Sequence, residues 1–559
     1  MMIREKITDA IKRASGLEKV NLECPENEAF GDYSSNVALQ GKNPKKDAER
    51  IIEKLKKDGK LSGIIERVEI AGSGFINFWL KKDVLIDGLK QIDMAKSDFG
   101  KSDEGKGKTV IIDYSSPNIA KPFGIGHLRS TIIGQALYNL YKSLGYEVVG
   151  DNHLGDWGTQ FGKLICMIET EKPEELSIEN LEKLYVEFHK KAEDNPELEE
   201  KARECFKKLE AGDPETKAIW QKCVDISLKE FAKVYDLLGV KTDFAFGESY
   251  YESEMRSMVG DSGIRRHLIT GEEGAMVIDL SQYGIKTPLM FLKKDGATTY
   301  ATRDLATIKF RTRKWDPDII IYEVGVEQNL HFRQVFAAAR LLKLVKPEVL
   351  LVHTAHGLYL APEGQKFSTR KGNTVKLEDV LNEAEARAEK LALKSGEAKN
   401  KDEIDKLRKS VGIGAVKYFD LMHATGSNVV FDWDKMMNLE GNSGPYLQYT
   451  AARANSVIAK AKGKDQKFEA INNPNEEELS ILRSLIKFPE IIKDSADRYA
   501  PNLLCNYLYS LAQKFNGFYG KHKIIDSENE EFRLALAFGV MQVLKNGLKI
   551  LGIETPERM

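Results

Sequence analysis

Apolar positions change their spacing several times along this sequence, and the changes mark out its parts. Residues 1–16 mix charge with apolar positions at helical spacing, a lysine-rich helix runs through residues 54–57, and strand-like segments follow at 68–70 and 75–80. The polar run KSDEGKGK at 101–108 then reads as a linker. Directly after it, TVIID at 109–113 is a β-branched run suited to a buried strand. A glycine-bearing loop follows, and apolar residues recur at Leu128, Ile132, Ala136, Leu140 and Leu144 until Gly145 stops the helix. YEVVG at 146–150 completes a strand–helix–strand unit, which implies parallel pairing through a right-handed crossover. Ligands of such sheets belong at the carboxyl ends of the strands.

Residues from about 170 to 240 predict charged helices inserted into this pattern, because strands resume only at 318–322 and 349–352. From about 405 onward helix follows helix, with Pro445, Pro474 and Pro501 as breaks. The expected fold is therefore α/β: a doubly wound parallel-sheet domain at 108–435 with a helical insertion at about 168–290. An N-terminal α+β domain at 1–103 precedes it, and a C-terminal all-α helical bundle at 436–559 follows. No fixed-period repeat is visible.

A chain of 559 residues exceeds what one core supports. With 42% hydrophobic and 30% charged residues it has the composition of a soluble protein, and no apolar run approaches the ~20 residues of a membrane span. The N-terminal residues lack the apolar block of a secretory signal, so a cytoplasmic location is expected. Five scattered cysteines without a C-x-x-C pair suggest neither disulfides nor a structural metal. The formal net charge of −2 gives no global attraction for nucleic acid, so any RNA contact must use local patches.

The chemistry concentrates in three segments. In SSPNIAKPFGIGHLRST (115–131), a strand hands over to a helix whose free N–H groups suit a phosphate. Gly124 and Gly126 would let a flat ligand approach the backbone, and His127 could donate to phosphate oxygens; the alternative is a tight turn with a structural histidine. In GQKFSTRKG (364–372), three cations within six residues suit a loop closing on a triphosphate, or a solvated basic loop. In PYLQYTAAR (445–453), Tyr446, Tyr449 and Arg453 share a helix face and offer stacking platforms beside a cation, as unpaired bases require. Phe515, Phe518 and Tyr519 with Lys521 and Lys523 form a similar cluster, or core.

Taken together, GIGH at 124–127 and KFSTR at 366–370 resemble the H-I-G-H and K-M-S-K-S signatures of the class I aminoacyl-tRNA synthetases. The full 115–131 string, HLGDWGTQFG at 153–162, YATRD at 300–304, the segment 325–331 and the closing TPERM are similar to the arginyl-tRNA synthetase family, over nearly the whole chain. Two positions depart: Gly124 replaces the first histidine, and Thr369 stands where lysine is usual. The resemblance implies a Rossmann-like catalytic domain of the HIGH superfamily and an N-terminal tRNA-contacting domain, matched at 31–33 and 72–77. It also implies a C-terminal anticodon-binding domain, and ATP with Mg²⁺, L-arginine and an arginine-accepting tRNA as substrates of a monomer. By the same match His127, Lys121, Lys366 and Arg370 would be catalytic, and Gly124, Gly126, His127, Gly325, Phe367 and Ser368 would bind ATP. Asp113, Asn118, Tyr300, Asp304 and Gln328 would bind arginine, and Tyr446, Gln448, Tyr449 and Arg453 would bind tRNA.

A guanidinium needs planar acceptors, which carboxylates supply bidentately. Tyr300 could instead be core, and Asp304 a helix cap. Two other functions fit parts of the sequence: a catalytically weakened paralogue that binds RNA, for which Gly124 is the best evidence, and an enzyme of the same superfamily that adenylates a small carboxylic acid without RNA.

Overall fold

The computed structural model describes residues 2–25, 27–365, 375–395, 400–461 and 474–559. At its centre lie four parallel strands, β1 (Thr109–Asp113), β2 (Glu147–Asp151), β3 (Ile319–Tyr322) and β4 (Leu350–His353), in the order β4-β3-β1-β2. Their continuous apolar runs are explained by burial on both faces. Ile111 and Ile320 pack into one core, while Val110, Ile112 and Ile321 pack into the other. The register sets Asp151, Asp113, Tyr322 and His353 side by side across the carboxyl edge.

Helix α1 (Leu128–Ser143) links β1 to β2. It stops where the pattern predicts: Gly145 has φ +83°, and a Cβ there would lie 2.7 Å from the Ser102 carbonyl oxygen, so only glycine fits. The insertion between β2 and β3 begins as expected with Thr159–Glu171, α2 (Ile178–Asp194), Glu197–Glu210 and α3 (Pro214–Leu238). Its later part departs from the helical expectation. Leu268–Thr270, Met276–Ile278 and Leu289–Leu292 form a three-stranded antiparallel sheet. Each apolar run there is three or four residues long and is bounded by Gly271, Gly274 or Pro288, too short for helical periodicity to develop. The chain then enters α4 (Tyr300–Trp315) and β3.

The N-terminal part is a four-stranded sheet with helices Ile3–Ser15, Pro44–Lys56 and Lys82–Ala95. It docks on the C-terminal helices: the Arg4 guanidinium donates to both Asp494 carboxylate oxygens at 2.6 and 2.7 Å, and the Tyr33 hydroxyl donates to Glu490 at 2.9 Å. In the C-terminal block α5 (Gly444–Lys460) starts from a Ser443 cap, and both Pro445 and Pro501 sit in first turns, where a missing N–H costs nothing. Among the described residues no helix is long and apolar enough to cross a membrane.

Candidate active site

The loop leaving β1 is backbone-strained. Ser115, Ser116 and Ala120 all have positive φ (74°, 46° and 63°) without being glycine. Polar side chains hold it there. Ser115 N–H donates to Ser130 Oγ at 2.9 Å, its hydroxyl shares hydrogen bonds with Thr131 and Tyr235, and Ser116 N–H donates to Asn152 Oδ1 at 3.0 Å. Ala120 N–H donates to Ser227 Oγ at 2.8 Å. The serines of the 115–131 string thus clamp the loop between α1 and α3, which leaves Asn118 exposed beside Gly155.

Beyond this loop opens a cavity of about 940 Å³. Its floor is the head of α1: Gly124, Gly126 and His127, with a Cβ on Gly126 meeting nothing within 4 Å. Burial, aided by the charge of Lys121, pushes the His127 imidazole down to about 4, so it is uncharged at neutral pH, and its Nδ1 has no partner among the described residues. The Lys121 ammonium lies 5.1 Å from the Tyr185 ring centroid, and burial lowers its pKa. Glu182, Tyr185, His189 and Glu193 of α2 form the facing wall at spacings of three and four residues. The insertion thereby closes one side of the pocket, a role that sequence reading missed because charged helices read as solvated. Lys366, Phe367, Ser368 and Arg370 lie outside the described residues.

A second cluster occupies the strand ends. Tyr300 is 70% exposed and therefore not core. Thr299 caps α4, so Asp304 is not the cap either. Asp304 instead meets His331, Nε2 to Oδ2 at 2.5 Å. Burial pushes the His331 imidazole down, but the hydrogen bond and charge of Asp304 outweigh it, and the pKa is raised. Arg303, over the Tyr300 ring, pairs with Glu248 at 2.8 Å. Gln328 is exposed at the start of the following helix, and Gly325 begins the short turn before it.

Asp113 corrects an expectation. Rather than facing a ligand, its Oδ2 accepts from Arg311 Nη2 at 2.7 Å and its Oδ1 from the Ser116 hydroxyl at 3.0 Å. Arg311, fully buried, also donates to Asp151 at 2.8 Å. The signal was present: Arg311 follows buried Ile308 and Thr307 by three and four residues, on the inward face of α4.

In the C-terminal block the Arg453 guanidinium lies over Tyr449 (4.7 Å) and Tyr519 (5.2 Å), and it donates to Asn516 at 2.6 Å. The Tyr446 hydroxyl accepts from Asn516 at 3.0 Å. Phe515 and Phe518 are core. Gln448 is a second correction: it is fully buried, and its amide donates to the Ser410 and Glu554 carbonyls at 2.9 and 2.7 Å. Two residues along from Tyr446, it points to the opposite side of the helix.

Sequence profiles match this architecture piece by piece: "Arginyl tRNA synthetase N terminal domain" at 1–80, "tRNA synthetases class I (R), catalytic domain" at 89–433, and "DALR anticodon binding domain" at 447–559. The chain belongs to the class I arginyl-tRNA synthetase family. It is 39% identical over 579 aligned residues to the arginine–tRNA ligase of Clostridium botulinum (strain Alaska E43 / Type E3), covering 100% of both chains. To that of Clostridioides difficile (strain 630) it is 40% identical over 568, covering 100% of this chain and 98% of the relative. The arginyl-tRNA synthetase structure from Plasmodium falciparum superposes with a TM-score of 0.86 at 28% identity, over 100% of this chain and 99% of that one. The Thermus thermophilus structure, at 22% identity and a TM-score of 0.85 over 100% of both, shares the fold.

Proposed function

We infer that this chain joins L-arginine to the 3′ end of its tRNA, using ATP and passing through arginyl-adenylate. The observation that carries this reading is the cavity at the head of α1, where Gly124, Gly126, His127 and Lys121 come together beside the carboxyl ends of β1 and β3.

In the first step an arginine carboxylate oxygen attacks the α-phosphorus of ATP, and the bond to pyrophosphate breaks. Negative charge shifts onto the departing phosphates, where Lys121 and the positive end of the α1 dipole stabilise it. Uncharged His127 serves as a hydrogen-bond donor rather than as a cation. Mg²⁺ enters with ATP as part of that substrate, and the basic segment containing Lys366 and Arg370 supplies further cations. Gly126 lets the nucleotide approach the backbone.

Asp304 takes the arginine guanidinium, with Tyr300 beside it, while Asn118 and Gln328 orient the α-amino and carboxylate ends. Asp113 is locked to Arg311. In the second step the terminal adenosine hydroxyl attacks the activated carbonyl, AMP leaves, and positioning does most of the work. Tyr449, Arg453 and exposed Tyr519 form the RNA-facing patch. Pocket and patch lie on one chain, which favours a monomer as the working unit.

The test is aminoacylation of total tRNA with each amino acid in turn. Arginine alone should be esterified, with one AMP and one pyrophosphate formed per arginine. Charging with another amino acid, or adenylate formation that ignores tRNA entirely, would overturn the reading.

A further inference from the structure

His356 lines the same cavity as Gly124, Gly126 and His127, yet no step above uses it. Its position is heavily determined. The backbone of His356 pairs with Gly325: its N–H donates to Val324 O at 3.3 Å, and its carbonyl accepts from Val326 N–H at 2.9 Å. Its Nδ1 meets Glu323 Oε1 at 2.9 Å. Glu323 is fully buried at the end of β3, its other oxygen accepts from the Thr354 hydroxyl, and its backbone N–H donates to the Asp113 carbonyl at 2.9 Å.

A carboxylate fixed in this way accepts the Nδ1 proton and so selects one tautomer of the neutral ring, which leaves a lone pair on Nε2 across the ring. That nitrogen lies 3.7 Å from where a Cβ on Gly325 would stand, at the rim of the turn Val326–Gln328. Such a group seeks an N–H or O–H donor. Phosphates offer none at neutral pH, but adenosine offers two kinds, the 6-amino group and the ribose hydroxyls.

We propose that His356 reads the nucleoside half of ATP by accepting a hydrogen bond at Nε2, with Glu323 as the positioning residue that sets its tautomer. This rests on the reading that the cavity binds ATP. Deleting the matching donor from the nucleotide, or the acceptor from the protein, should have the same effect, and doing both should add little.

The experiment measures KM for ATP, purine riboside triphosphate, 2′-deoxy-ATP and 3′-deoxy-ATP in arginine- and tRNA-dependent pyrophosphate release, with wild type and His356→Asn. Asparagine retains a donor for Glu323 but has no atom at the Nε2 position. Wild type should lose about 10-fold in apparent affinity with one of the analogues, which identifies the donor. His356→Asn should show that same loss with ATP and no further loss with that analogue, while KM for arginine stays within about twofold. Glu323→Gln, which can reverse the tautomer, should raise KM for ATP although the imidazole remains.

Equal KM values for all four nucleotides in wild type would overturn the proposal without any variant. So would an ATP KM unchanged in His356→Asn, or analogue losses that simply add to it. Failure of wild type to use ATP at all would instead sink the parent reading.

Discussion

Replacing Asp304 by asparagine removes one negative charge near the start of α4 and preserves shape. The wild-type carboxylate is mostly enclosed, with 19% of its side chain exposed, and it already carries His331 at 2.5 Å. A guanidinium bound there makes charge-assisted hydrogen bonds of about 1.5–3 kcal/mol each, and two of them at partial exposure give a net loss of about 2–4 kcal/mol on substitution. At about 1.4 kcal/mol per tenfold, kcat/KM for arginine should fall roughly 30- to 800-fold. KM for ATP should stay within about threefold, because the nucleotide uses other groups.

Acid adds a second signature. His331 has a raised pKa, so as pH falls through that value the imidazolium forms and competes with the substrate for Asp304. KM for arginine should therefore rise on acidification in wild type, and the rise should vanish in Asp304→Asn. Stability moves the other way: the His331–Asp304 contribution is complete below the ordinary histidine value and is lost as pH rises through the raised one. Steady-state pyrophosphate release at varied arginine and pH measures both effects, with histidine titration by NMR as the control. A variant retaining kcat/KM for arginine within about threefold would remove Asp304 from the pocket.

Three further outcomes follow from buried and stacked groups. Arg311→Met would strand two buried carboxylates, and at about 3–5 kcal/mol it should lower the urea midpoint of the catalytic domain markedly; an unchanged midpoint would contradict the pairing. Fully buried Lys417 donates to the Leu238 and Gly552 carbonyls, and burial pushes it down to about 8. The unfolded chain then binds the extra proton between about pH 8 and the ordinary lysine value, so wild-type stability should rise across that window, and Lys417→Met should flatten the rise in pH-dependent denaturation curves. Arg453→Ala should weaken tRNA binding by about 5- to 100-fold in a filter assay, with more salt needed to weaken the wild type equally.

Legibility in the sequence followed the reach of local rules. The β1–α1–β2 unit was readable because its period shifts from continuous apolar to helical and ends at a glycine whose φ admits nothing else. The sheet at 268–292 was not, since three-residue strands carry too little period to distinguish from loop. Both signatures were found from residue type and order. The partner of Asp113 was not, because Arg311 lies 198 residues away and only the folded sheet brings them together. Tyr446 and Tyr449 were placed on one face by spacing alone. Spacing also argues against Gln448, and the buried amide shows which rule should have prevailed.

Gly124 is where the sequence departs most from its class, and the structure gives a reason why the site tolerates it. The Gly124 backbone pairs antiparallel with Lys376, Ile125 N–H donates to Val375 O at 3.1 Å, and Leu377 N–H donates to Phe123 O at 3.0 Å. The segment that follows the second signature is thus stitched to the first through main-chain bonds that need no side chain at 124. Lys121, His127 and His356 line the same cavity, so polar groups remain there without an imidazole at 124. At φ −84° and ψ 160° the backbone at 124 is extended and does not require glycine, so Gly124→His is a fair test. A site short of one essential transition-state donor should regain about 10²- to 10³-fold in kcat on receiving it. If the neighbouring groups already fill that role, the gain in pyrophosphate release with arginine, ATP and tRNA should stay below about tenfold, and a recovery of a hundredfold would restore the case for a catalytically weakened chain.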